Sequence, residues 1–165
     1  MARLAVLPAV LRSDHCDLVG VASLSQPSPP LSGSAEGHTR RYGAYEDLLD
    51  DPAVEAVYIP LPNSLHRQWT EWASAAGKHV LCEKPLAATP EDAAAMASAC
   101  AEAEVVLMEA YMTPFHPRSV AILEAAQTGR LGRLLHGLAM FTGTLDRPDD
   151  HRWRPEMGGG ALLDV

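Results

Sequence analysis

Cysteine, aromatic residues and positive charge are all scarce in this sequence. The three cysteines, Cys16, Cys82 and Cys100, stand far apart. Their spacing fits no metal site and their number is odd, so they read as buried thiols of a chain kept in a reducing cytoplasm. Phe, Trp and Tyr make up only 5% of the residues, and alanine-rich helical stretches account for that. Lys and Arg number 13 against 21 Asp and Glu, a net charge of −8. Such a chain repels phosphate backbones, which argues against a nucleic-acid partner. No apolar run reaches the ~20 residues that span a bilayer, so no membrane role is expected. The apolar start at residues 4–11 holds Pro8 and runs into Arg12, Asp14 and Asp17 without a small-residue cleavage site, so it does not read as a signal peptide. The glycine fingerprint GxGxxG is missing too. The string GRLG at 129–132 lacks the third glycine, follows a helix, and reads as a plain turn.

What is present is a globular pattern. The 165 residues are 47% apolar, enough for one domain with a core and too few for two full ones. Residues 2–13 read as an apolar helix kinked by Pro8, and 17–22 as a strand. Residues 23–39, rich in proline, serine and glycine, read as a loop. The spacing then predicts a short helix over 44–50 and a strand over 54–59. A helix capped by Asn63 or Ser64 follows to Ala76, with Gly77 as its stop. A strand over 78–82 comes next, then a helix from Thr89-Pro90 to about Ala103. A strand over 105–110 precedes a helix that starts after Pro114 or Pro117 and ends at Gly129. Residues 132–143 look like one strand of a different sheet. The three glycines from Gly158 open a last helix.

Strand–helix alternation at this spacing predicts parallel βαβ units, with the strand ends gathered on one ligand-binding edge. A nucleotide-binding domain of that kind begins strand, glycine-rich turn, helix. This chain begins inside the first helix, and its second sheet has one strand without a partner. Both ends therefore read as those of a fragment.

The densest group of candidate residues falls on the predicted edge. Pro60, Asn63 and His66 follow one strand; Glu83, Lys84 and Pro85 follow the next. As an ammonium, Lys84 can polarise a carbonyl, and if desolvated it can exchange a proton with an alcohol. Pro85 restricts its backbone to extended angles. Taken singly, each of these is more often structural: a lysine–proline strand end, a capping asparagine, a surface histidine. Tyr111, His116 and Asp164 are unremarkable in isolation, and His151, Arg152 and Arg154 around Trp153 read as a solvated loop.

Together they say more. The strings VYIPLPNSLH, AGKHVLCEKPL, FHPR and PEMGGGALLDV, in that order from about Tyr42 to Val165, resemble the Gfo/Idh/MocA family of nicotinamide-dependent oxidoreductases. The flavour is that of its dihydrodiol-dehydrogenase and sugar-ketoreductase branches. The resemblance implies an α/β fold: a partial Rossmann-like parallel sheet over 1–112, lacking its first strand and glycine-rich loop. The start of a C-terminal substrate domain with an antiparallel sheet would follow over 113–165. It implies NAD or NADP as cofactor, a small sugar or diol as substrate, and full-length relatives that form homo-oligomers. Lys84 matches the family lysine at substrate and nicotinamide ribose, with Glu83 and Pro85 beside the cofactor. Pro60, Asn63 and His66 match the segment lining the nicotinamide side, and Asp164 matches an active-site aspartate. Ser23 ends the strand where many members carry Ser-Arg; here Leu24 follows, and no acid stands there. Thr113-Pro114 replaces an arginine that often precedes Phe115-His116-Pro117. The implied activity is hydride transfer between nicotinamide and a secondary alcohol or ketone. The alternative is an inactive truncated product, since without the phosphate-binding turn no useful dinucleotide binding is expected.

Overall fold

The computed structural model describes residues 5–24 and 39–164. The expected proline-rich loop lies outside these apart from its ends, as do residues 2–4 of the expected first helix. The elements run α1 (Leu7–Val10), β1 (Gly20–Ala22), β2 (Arg40–Tyr42), α2 (Tyr45–Leu49), β3 (Ala56–Ile59), α3 (His66–Ala75), β4 (His79–Glu83), α4 (Pro90–Glu102), β5 (Leu107–Ala110), α5 (Pro117–Gln127) and α6 (Ala161–Asp164). Short 3-10 turns precede α3, α5 and α6. Of the helix expected over 2–13, the described α1 ends at Val10, with Pro8 at its start.

All described strand pairs are parallel. β1 pairs with β2 through Gly20–Arg40 to Ala22–Tyr42. β3, β4 and β5 form a second sheet in that order. Val57 stands beside Val80 and Ile59 beside Cys82, so the apolar residues of neighbouring strands share one face. α3 and α4 cover that face: Ala73 and Met96 join Val54, Val57, Ile59, Val80 and Cys82 in the core. No described strand joins the two sheets.

The local signals behave as chemistry requires. Thr89 Oγ1 accepts from the Asp92 N–H at 3.1 Å, with Pro90 in the first turn of α4. At the end of α3, Gly77 takes φ 72°. The Gly77 N–H then reaches Ser74 O and the Lys78 N–H reaches Ala73 O, both at 2.9 Å, which satisfies two carbonyls the helix leaves open. Arg67 joins α3 to α4, bonding Glu71 Oε1 and Asp92 Oδ1 at 2.8 Å each.

Three expectations are corrected. Residues 132–143 form no strand. An isolated strand leaves its N–H and C=O groups unpaired, and no described strand stands beside this one. Leu134, Leu135, Leu138, Met140 and Phe141 of this stretch are exposed. Neither Asn63 nor Ser64 caps the helix after β3; the chain enters through the 3-10 turn Asn63–Leu65 without a side-chain cap. Cys82 and Cys100 are buried, but Cys16 is exposed beyond α1. Burial pushes the Cys82 thiol up to about 12 and raises that of Cys100.

A polar knot ties β2 to the loop before β3. Tyr42 donates to Asp51 Oδ2 at 2.5 Å, the Ala53 N–H donates to Asp51 Oδ1 at 2.8 Å, and Arg40 pairs with the same carboxylate. Buried Lys78 donates from Nζ to Asp51 O at 2.9 Å. The Tyr42 hydroxyl, then the Ala53 N–H and Arg40, hold the Asp51 carboxyl down at about 2. A carboxyl lowered on folding contributes stability above its ordinary value of about 4 and loses it as pH falls through the folded value. Denaturant midpoints are therefore expected to drop between about pH 4 and pH 2. Asp51→Asn should flatten that stretch of the curve; an unchanged slope in the variant would remove Asp51 from the acid response.

Candidate functional site

The carboxyl edge of the β3–β4–β5 sheet brings together the two sets of candidate residues expected there. After β3 the chain passes through exposed Pro60, half-buried Leu61 and Pro62, then the Asn63–Leu65 turn. After β4 it passes through Glu83, Lys84 and Pro85, all half-buried, with a cis Lys84-Pro85 peptide bond. A parallel sheet puts both turns on one edge, where helix N-termini and free backbone groups also collect.

Hydrogen bonds fix the 83–86 turn from several elements. Tyr58 of β3 donates its hydroxyl to Glu83 Oε1. Glu83 Oε2 accepts from the Lys84 N–H at 3.1 Å. Glu109 of β5 accepts the Leu86 N–H on Oε1 at 2.8 Å. The His66 ring spans the gap between the turns, with Nδ1 2.9 Å from Pro85 O and Nε2 2.9 Å from Leu61 O. Burial, and then its bond to Glu83, raises the Tyr58 hydroxyl above its ordinary value, which favours the protonated, donating form. The result is a turn whose backbone is held on both sides of Lys84, a condition for presenting one ammonium group in one place.

Asn63 Nδ2 donates to Gly158 O at 2.7 Å, so the turn at 155–158 docks on the turn after β3. Gly158 is buried and has φ 74°. A Cβ there would lie 2.8 Å from Asn63 Cβ and 3.4 Å from Ala88 Cβ. Backbone angle and close approach both demand glycine. Gly158→Ala is therefore expected to undock this segment, read as faster amide exchange at residues 155–160 with unchanged protection in α4. Equal protection in the two proteins would show that the contact does not hold the segment.

Asp164 closes the one-turn α6, and its side chain lies outside the described atoms. Ser23 directly follows β1 of the other sheet, and its N–H donates to Tyr42 O at 3.4 Å. His116 accepts the Arg118 N–H at 3.2 Å and so caps α5. Among the described residues, no three His, Cys, Asp or Glu side chains are placed to hold a metal ion. No described helix is long and apolar enough to cross a membrane.

Tyr58, Glu109 and Gly158 escaped the sequence reading. A signal existed for the first two. Tyr58 pairs with Leu81, so Glu83, two residues on, shares its face. Glu109 pairs with Cys82 and so falls on the apolar face, where a carboxylate needs a donor. For Gly158 the neighbouring glycines hid which one was constrained.

Comparison with known proteins gives a consistent result. Residues 3–111 match the Gfo/Idh/MocA family, described as an oxidoreductase family with an NAD-binding Rossmann fold. The chain is 40% identical over 161 residues to D-xylose 1-dehydrogenase (NADP(+)) 2 of Haloferax volcanii, covering 97% of this chain and 49% of that one. It is 39% identical over 160 residues to a dTDP-3,4-didehydro-2,6-dideoxy-alpha-D-glucose 3-reductase of Streptomyces violaceoruber, covering 97% of this chain and 46% of that protein. Among solved structures, it superposes with a TM-score of 0.83 on a variant of the 3-ketoreductase KijD10 from Actinomadura kijaniata in complex with TDP-benzene and NADP. That match is 30% identical and covers 99% of this chain and 50% of the other. An aldose-aldose oxidoreductase from Caulobacter crescentus matches with a TM-score of 0.78 at 32% identity, over 97% of this chain and 49% of that one. The chain thus spans about half the length of the relatives it matches.

Proposed function

Since the chain belongs to the Gfo/Idh/MocA oxidoreductase family, we propose that its gene product is an NAD(P)-dependent sugar oxidoreductase that interconverts a secondary alcohol and a ketone. The observation that carries this reading is the braced 83–86 turn, which sets Lys84 at the carboxyl edge of the sheet beside the Pro60–Asn63 turn. The donor set suits the nicotinamide half of a dinucleotide: a cation, exposed Pro60 as a flat apolar contact, and an asparagine side chain. Pro60, Asn63, Glu83, Lys84 and Pro85 would hold that half, and Ser23 would face the adenosine ribose. Bound there, the nicotinamide supplies or accepts the hydride.

The chain's own residues do the rest. The Lys84 ammonium donates a hydrogen bond to the reacting oxygen and stabilises the negative charge that develops on it. Glu83 orients that lysine through its backbone N–H, and Tyr58 keeps Glu83 in place. Asp164 follows Gly158, whose carbonyl docks on the edge through Asn63, by six residues and would bring a second polar group to the substrate. Sugars are the favoured substrates, because the named relatives act on xylose and on dTDP-linked sugars.

The test is turnover by the full-length gene product with NAD or NADP against aldoses, nucleotide-linked ketosugars and a diol, followed at the nicotinamide absorbance. Saturable, cofactor-dependent turnover of a sugar is the expected result. Turnover of none of the three substrate classes, with a folded protein, would overturn the proposal.

A further inference from the structure

The turn that carries Lys84 is held by bonds of two kinds. Glu83 accepts the N–H of Lys84, its neighbour in the chain. A bond between neighbours fixes the shape of a turn and moves with it. Where the turn stands is set by partners on other elements. From the β3 side, Tyr58 donates to Glu83, and the His66 ring at the start of α3 lies 2.9 Å from Pro85 O. From the other side comes Glu109 of β5, whose Oε1 accepts the Leu86 N–H at 2.8 Å, 23 residues away in sequence.

Pro85 has no N–H, so Leu86 offers the first amide donor past Lys84. The parallel register puts Glu109 beside Cys82 and Ala110 beside Glu83, one strand over from the turn. The Leu86 side chain packs against the core cluster while its N–H is held by Glu109. The far end of the turn is thereby tied to the sheet through both side chain and backbone.

We propose that Glu109 is a positioning residue for Lys84: it anchors the β5 side of the 83–86 turn and so sets where the lysine meets its substrate. The anchor needs an acceptor oxygen, and a carboxamide offers one as a carboxylate does. That separates this role from proton transfer or charge stabilisation, in which an amide cannot replace a carboxyl group. The role rests on the function proposed above; the bond to Leu86 stands on its own geometry.

The bond is tested first in the 165-residue chain by amide exchange, without any substitution. The Leu86 N–H is expected to exchange at least about tenfold more slowly than an open amide. Exchange at the open rate would overturn the proposal. The role is tested in the full-length gene product with Glu109→Ala and Glu109→Gln. Glu109→Ala is expected to lower kcat by about 10–100-fold with cofactor affinity little changed. Folding is checked at the Val80 N–H, which bonds Val106 O between β4 and the start of β5 and should keep its protection. Glu109→Gln is expected to restore kcat to within about threefold of wild type, since its oxygen can take the Leu86 N–H. A glutamine variant as slow as the alanine one would make Glu109 an acid, base or charge, and refute positioning. Wild-type kcat in Glu109→Ala would refute it as well. Should the wild-type gene product turn over no sugar, the functional reading fails and the role for Lys84 with it, while exchange at Leu86 still decides whether the anchor exists.

Discussion

Lys84→Ala in the full-length gene product is expected to lower kcat by about 10²–10⁴-fold and to leave cofactor affinity largely intact. The size follows from what is lost. A single ammonium group beside the reacting oxygen supplies a charge-assisted hydrogen bond that strengthens as negative charge builds. Removing it leaves that charge facing an alanine methyl. Dinucleotide binding draws on many contacts spread along the cofactor, so one side chain at its reactive end contributes little to it. Glu83, His66 and Glu109 hold backbone groups at 84, 85 and 86, and these bonds survive the substitution. The variant should therefore fold. Near-normal turnover in a folded variant would sink the assignment of Lys84.

Met96→Ala is expected to cost about 2–5 kcal/mol of stability. Met96 is the largest side chain in the core with no exposed surface, and it sits in the middle of α4. It fills the space between that helix and the core residues of α3, β3 and β4. Alanine favours helix at least as well as methionine, so the loss is one of packing and not of helix formation. Among the described residues the buried cluster has only six other members, so collapse into the cavity has few side chains to draw on. Against a total stability of about 5–15 kcal/mol, such a loss is large. A urea titration should show a lower midpoint at an unchanged slope. A shift worth less than about 1 kcal/mol would mean that the site repacks and that Met96 does not organise the α3–α4 layer.

The sequence made the three-stranded sheet readable because its signals were local and redundant. Val80 and Cys82 alternate with half-exposed neighbours, Gly77 stops α3, and Thr89-Pro90 starts α4. Each of these is decided within a few residues. The edge of the sheet was legible for the same reason, since Pro60, Pro62 and Pro85 mark where strands end. What stayed hidden depends on contacts far along the chain. Asn63 looked like a cap, yet its amide binds Gly158, 95 positions later. Residues 132–143 have the composition of a strand, but strand formation is decided by a neighbour, and no described strand stands beside them. His66 looked like a surface or lining histidine because nothing in its own segment announces two carbonyl partners, one of which lies 19 residues away. These failures share one cause: a side chain's role was inferred from its own element when a distant one fixed it.

The central claim is that Lys84 stands at the bond being oxidised or reduced. A crystal structure of the full-length gene product with its nicotinamide cofactor and a sugar bound measures this directly. The account predicts Lys84 Nζ within about 2.6–3.2 Å of the substrate oxygen on the reacting carbon. A lysine turned away from that oxygen, with another group in its place, would contradict it.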